Sequence, residues 1–314
     1  MNFWIVLLAY VAVLLAIDFL VLHRRNAVVS MRKAAMETAF FVLNALLFSG
    51  IVYWKYSIAE ATDTAQLSAS TAVVKYISGY LIELSLSVDN LFVMAMIFAS
   101  FKVPSQYQHR LLFLGILGAL VFRAVLIGVG LTLIQSVKGI GIVFGLFLLY
   151  TAFKTLKDEA DHLDVEEPKG ISKYFRFNHV DGGKFISRKD GHLVFTSLFG
   201  ALITIEFTDL LFALDSIPAI FAVTTDPFIV YSSNIFAIMG LRSLYFFLAS
   251  MLEKFVYLKY SVFSILVFVA IKLMTAELFH MPEWFSLLFI FLSLAIGVYV
   301  SLMKHRSIDH GTDK

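Results

Sequence analysis

The sequence contains no cysteine among its 314 residues. That excludes disulfides, thiolate metal sites and cysteine nucleophiles, and it leaves the redox compartment unmarked. Charge is scarce as well: Asp, Glu, Lys and Arg make up 15% of the chain, with a formal net charge of +2. No basic patch with interleaved aromatics occurs, so a nucleic-acid partner is not expected. An HExxH segment is missing, which excludes the zinc intramembrane proteases. The first apolar run, residues 3–22, lacks a basic leader and a small-residue cleavage site, and is expected to be a retained helix.

What is present is apolar. Hydrophobic residues make up 60% of the chain and Phe alone contributes 32, with a mean hydropathy of +0.84. A soluble domain is nearer half apolar, so the composition describes a polytopic membrane protein. Spanning a bilayer takes about 20 apolar residues. Such runs are expected as nine helices near 3–22, 35–54, 74–101, 111–135, 139–156, 194–223, 228–250, 258–278 and 284–303. Of the 25 Lys and Arg, 19 fall after helices one, three, five and seven or in the C-terminal tail. Only Lys55, Lys75 and Lys138 fall on the other side. The positive-inside rule then puts the N-terminus outside and the C-terminus in the cytoplasm.

Residues 203–226, ITIEFTDLLFALDSIPAIFAVTTD, are as apolar as a spanning helix yet carry Glu206, Asp209 and Asp215. A carboxylate inside a membrane costs roughly 3 kcal/mol on insertion scales, so three in one span imply a use. Residues 82–94, IELSLSVDNLFVM, repeat the pattern: aligning Asp89 with Asp215 also aligns Glu83 with Asp209 and Asn90 with Ser216. The repeat continues. Asp89 is followed by Gly118, Arg123 and Lys154, and Asp215 by Gly240, Arg242 and Lys272, with Arg-to-Lys intervals of 31 and 30 residues. Helix three enters from outside and helix six from inside, so the copies are inverted, an architecture that puts a substrate site between them near the midplane.

The expected organisation is therefore all-α, with peripheral helices one and two (1–70), a first three-helix repeat (71–157) and a cytoplasmic loop (158–193). A second three-helix repeat (194–280) follows, then helix nine with a cytoplasmic tail (281–314). The loop begins with the acidic KDEADHLDVEEPKG. It ends with KFISRKDGHLVF, where Asp190-Gly191 between alternating residues suggests a small hairpin. His162 and His179 among acids form either a regulatory metal site or part of a solvated loop, and the loop is the expected reading because no ligand spacing stands out.

The candidate ligands are Glu83, Asp89, Asn90, Glu206, Asp209, Asp215 and Ser216. Glu206 and Asp209, three apart, share a helical face, as do Glu83, Ser87 and Asn90. Pro218 removes the helical partner of the Leu214 carbonyl. It either opens the helix beside Asp215, freeing that carbonyl for a cation, or only bends it for packing. All these donors are oxygens, which favours Mn2+, Mg2+ or Ca2+ over zinc, copper or nickel. Met94, Met96, Met239 and Met274 either add soft sulfur or simply pack the membrane core. Arg123, Arg242 and Lys272 are candidate counter-ions, with Lys272 open to snorkelling at a helix end. Asp18 and Glu37, nearer their helix ends, are expected to be solvated or paired locally.

The segments IELSLSVDNLFV, IEFTDLLFALDSIPAIFAVTTDPFIV and SNIFAIMGLRSLYF resemble the TerC family, and within it the Alx branch of bacterial inner-membrane proteins; the likeness covers nearly the whole chain. It implies a cation exporter with Mn2+ as substrate, Ca2+ being the alternative, and carries the acidic positions onto Glu83, Asp89, Glu206, Asp209 and Asp215. No required cofactor, no enzymatic activity and no obligate protein partner is expected. The partners are the divalent ion and the lipid bilayer. Two rival readings are weighed. An intramembrane aspartyl protease would pair Asp89 with Asp215, but FALDSIP lacks the GxGD segment around the second aspartate. A scaffold for membrane-protein assembly would leave five acids without a role.

Overall fold

A computed structural model describes residues 2–22, 31–62, 67–137, 139–161, 183–189, 192–249, 258–275 and 282–309. Among these residues the chain forms nine α-helices and one hairpin. They are α1 (Phe3–Ile17), α2 (Met31–Ala61), α3 (Ala69–Ser100), α4 (Ser105–Ser136), α5 (Ile140–Asp161), β1 (Ile186–Lys189), β2 (His192–Phe195), α6 (Ser197–Phe221), α7 (Pro227–Ala249), α8 (Leu258–Met274) and α9 (Glu283–Asp309). A π-helical turn, Asp18–Leu22, continues α1. Five helical stretches are long and apolar enough to cross a membrane: Phe3–Leu20, Met31–Ala61, Ser105–Ile134, Ser197–Phe221 and Trp284–Ser301. Ile140–Tyr150 and Tyr260–Met274 are shorter apolar helices.

Local chemistry sets the helix starts. Asn2 caps α1 by accepting from the Trp4 N–H at 3.2 Å. Asp226 caps α7, its Oδ1 accepting from Phe228 and Ile229 at 2.9 and 3.1 Å. Pro227 then occupies the first helical position, where its missing N–H costs nothing. The expected hairpin is present, antiparallel with Lys189 opposite His192. Its turn residues Asp190 and Gly191, like His162 and His179, lie outside the described residues. The stem is held to the helices: Arg110 donates to the Gly183 carbonyl at 3.0 Å, and Thr196 donates to the Lys184 carbonyl at 2.7 Å.

Lipid is as apolar as leucine, so helices in a bilayer associate through close packing and polar contacts. The most extensive contacts join α3 with α7, α5 with α8 and α2 with α7, followed by α4 with α6, while α3 also meets α6 and α4 meets α7. Helix α2 lies on α7 and α3, and α9 on α8 and α3. Gly79 lets α3 approach α7 closely, because a Cβ there would stand 2.8 Å from Ser233 Oγ. Aromatic side chains fill the seam between α2, α3 and α7, with the Phe48 and Phe236 rings 4.5 Å apart. Three apolar clusters result. Charged side chains collect where α3, α4, α6 and α7 meet.

Helix α6 stays helical through Pro218 to Phe221, so the opening expected beside Asp215 does not occur. Proline stands in the final turn, where one lost bond, at the Leu214 carbonyl, leaves the rest of the ladder intact.

Candidate cation site

Arg123, midway along α4, is 1% exposed and gathers partners from three other helices. Its Nη1 donates to Glu83 Oε1 on α3, to Asn234 Oδ1 on α7 at 2.7 Å and to Ser216 Oγ on α6 at 3.4 Å. Its Nη2 donates to Asp209 Oδ1 on α6 at 3.4 Å. The Asn234 amide donates to the other Glu83 oxygen at 3.2 Å, and Ser87, one turn beyond Glu83, donates to Oε1 at 3.2 Å. Two carboxylates thus share one guanidinium inside the helix bundle. Burial penalises every one of these charges, and mutual pairing is what makes them tolerable there.

The pairing is incomplete. Asp209 Oδ2 and Glu206 Oε2 are buried without a hydrogen-bond partner. Glu206, one turn before Asp209, lies with its carboxylate against Gly118 of α4, where any side chain would collide with it. Such under-satisfied acids can accept a proton or a cation, which ordinary packing residues cannot.

Of the candidates, the structure brings Glu83, Asp209, Ser216 and Arg123 into one network. Asn90 is buried on α3, seven residues beyond Glu83. Asp89 and Asp215 belong to α3 and α6, but their side chains, like those of Met96 and Lys154, lie outside the described residues. Among the described residues no group of three or more His, Cys, Asp or Glu is arranged to hold a metal ion. The two arginines do different things. Arg242 pairs with Asp18 on α1, both being 3% exposed at the side chain. The expectation that Asp18 is solvated or locally paired is therefore corrected: its partner is 224 residues away. Glu37 does pair locally, with Lys33 at 3.7 Å, although its own side chain is buried. Lys272 is buried near the end of α8 and donates to Ser286 on α9 at 3.0 Å. Asn234 was missed by sequence reasoning, although an amide inside the apolar run SNIFAIMG carries the same signal as a buried acid.

Comparison with known proteins follows the same lines. The model of the integral membrane protein TerC family matches residues 68–308. An uncharacterised membrane protein of Rickettsia conorii is 37% identical over 311 residues, 98% of this chain and 99% of its own. One from Myxococcus xanthus is 41% identical over 310 residues, 97% and 93% of the two chains. A protein of Escherichia coli (strain K12), named provisionally as a membrane-bound redox modulator, Alx, is 43% identical over 282 residues, 88% and 87% of the two. No solved structure matches. A match over this much of the chain, on a bundle of apolar helices with buried acids, means that the protein belongs to the TerC family of integral membrane proteins.

Proposed function

We propose that this protein is a secondary transporter that exports a divalent cation, Mn2+ ahead of Ca2+, across the bacterial inner membrane. The observation that carries the reading is the buried Glu83–Arg123–Asp209 cluster, in which acids at equivalent positions of two helices converge on one cation. Arg123 there occupies the position a metal would take: a dication entering between Glu83 and Asp209 gains their oxygens and displaces the guanidinium. Asp89, Asn90, Asp215, Ser216 and Glu206 are the further ligands of the same path. In this reading all nine helices span the membrane, and α3 to α5 and α6 to α8 form inverted repeats.

The contact pattern supports the repeat. Exchanging α3 with α6, α4 with α7 and α5 with α8 turns the α3–α7 contact into the α6–α4 contact, and returns the α5–α8, α3–α6 and α4–α7 contacts to themselves. A pseudo-two-fold axis has that consequence. The name of the Alx relatives points to redox modulation; this chain has no cysteine for thiol chemistry, and moving a metal ion is an indirect route to such an effect.

Cellular manganese resistance tests the function. The Asp89→Asn, Asp215→Asn double variant is expected to accumulate in the membrane and to lose resistance altogether. Full resistance in that variant overturns the transport mechanism.

A further inference from the structure

A single residue, Thr196, separates Phe195 at the end of β2 from Ser197, where the apolar helix α6 begins. Thr196 ties that corner. Its N–H donates to the Phe185 carbonyl at 3.0 Å and its hydroxyl to the Lys184 carbonyl at 2.7 Å. Arg110 of α4 lies over the Phe185 ring at 4.7 Å, and a Cβ on Gly183 would stand 2.6 Å from the Tyr107 ring. These ties hold the hairpin at the ends of α4 and α6. Ile186 and Phe195 stand opposite each other in its two strands, so their side chains share a face. They are 48% and 40% exposed. Phe195 stacks on Phe199 in the first turn of α6, with ring centroids 4.5 Å apart. Phe199 begins a stripe on that helix, and Ile203, Phe207, Leu211 and Leu214 continue it at helical spacing, all exposed. The outward apolar surface of α6 thus runs on to the hairpin.

We propose that the hairpin rests on the bilayer through Ile186 and Phe195, and that the basic residues around this face hold anionic lipid headgroups. Two strands alone bury too little to be stable, so a hairpin needs something to pack against. The helices supply one wall and lipid supplies the other. An apolar face beside a spanning helix gains by entering the boundary between headgroups and acyl chains. The charge fits that setting. Lys184, and Lys102 at the same end of the bundle, are exposed. Strand β1 adds Arg188 and Lys189 to the sequence, and Asp190 is the one acid between Gly183 and Phe195. Cations held at headgroup level are drawn to anionic lipid. In the orientation expected from the Lys and Arg distribution, this end of the bundle is cytoplasmic. The contact needs only that α6 spans the bilayer, whichever ion the protein moves.

Because the chain has no cysteine, a spin label on one introduced cysteine reports a single position of the full chain. Ile186→Cys and Phe195→Cys, with Ile203→Cys as a reference on α6, are labelled in vesicles of phosphatidylethanolamine and phosphatidylglycerol. Labels at 186 and 195 are expected to collide with dissolved oxygen and to be shielded from a neutral, water-soluble nickel chelate, as the reference is. In phosphatidylcholine alone, collisions with the chelate at 186 are expected to rise about threefold. The same rise is expected when Lys184→Gln, Arg188→Gln and Lys189→Gln are added together. Labels open to the chelate in both kinds of vesicle overturn the membrane contact. Shielding that is unchanged by the loss of phosphatidylglycerol and of the three cations overturns the role of anionic headgroups. Shielding from oxygen and chelate alike means that protein covers this face, and it overturns the lipid assignment.

Discussion

Arg123 decides the electrostatics at the centre of the molecule. Its guanidinium offers five donors in a rigid fork, and the acceptors around it come from α3, α6 and α7. Removing one partner of a buried ion pair costs about 3–5 kcal/mol, because the charge left behind is uncompensated. Arg123→Met is expected to destabilise the protein by that order in thermal unfolding in detergent. Adding Glu83→Gln to it should return part of the loss, since the second change removes the stranded charge. Unfolding unchanged in Arg123→Met would mean that the cluster contributes nothing to stability. Glu83, Asp209 and Arg123 are each legible in the sequence as charges inside apolar runs. Their union is not legible. Spacing along a helix states which residues share a face, whereas the partner that face meets depends on how the helices pack.

At the scale of elements, α1 is tied to α7 by a charge and not merely by packing. Asp18 opens the π-helical turn that ends the helix, and such turns reorient the side chains they carry. Its carboxylate meets Arg242 out of water. Asp18→Asn therefore strands a buried guanidinium, and an expected loss of about 3–5 kcal/mol follows from the same argument. Because Arg242 and Asp209 line the same small cavity between α3, α4, α6 and α7, the transport proposed above should fall in parallel. A fully stable, fully active Asp18→Asn would return α1 to the role of a passive peripheral helix. Sequence position alone suggested that passive role, since residue 18 stands near the end of an apolar run. Helix starts are the opposite case: Asp226-Pro227 is a local signal, and α7 begins there.

For the molecule as a whole, the proposed orientation rests on the clustering of Lys and Arg in alternate connections. If all nine helices span the membrane, that clustering puts the N-terminus outside and the C-terminus inside. A reporter joined after Lys304 is expected to be active only in the cytoplasm. Periplasmic activity would overturn the orientation.

Hydropathy and charge placement by themselves determine that this chain is a helical membrane protein, where its helices run and which acids are out of place in them. Those properties are local: about 20 apolar residues make a spanning segment whatever surrounds them, and a buried carboxylate is costly wherever it sits. The tertiary structure alone decides who pays court to whom among the charges. Arg123 goes to Glu83 and Asp209, and Arg242 to Asp18, although the two arginines look alike in the repeat. The physical reason is that a guanidinium in a membrane takes whichever carboxylate its helix face is packed against, and packing is settled by shape: Gly118 beside Glu206, Gly79 beside Ser233, and the aromatic seam that seats α7 against α2 and α3.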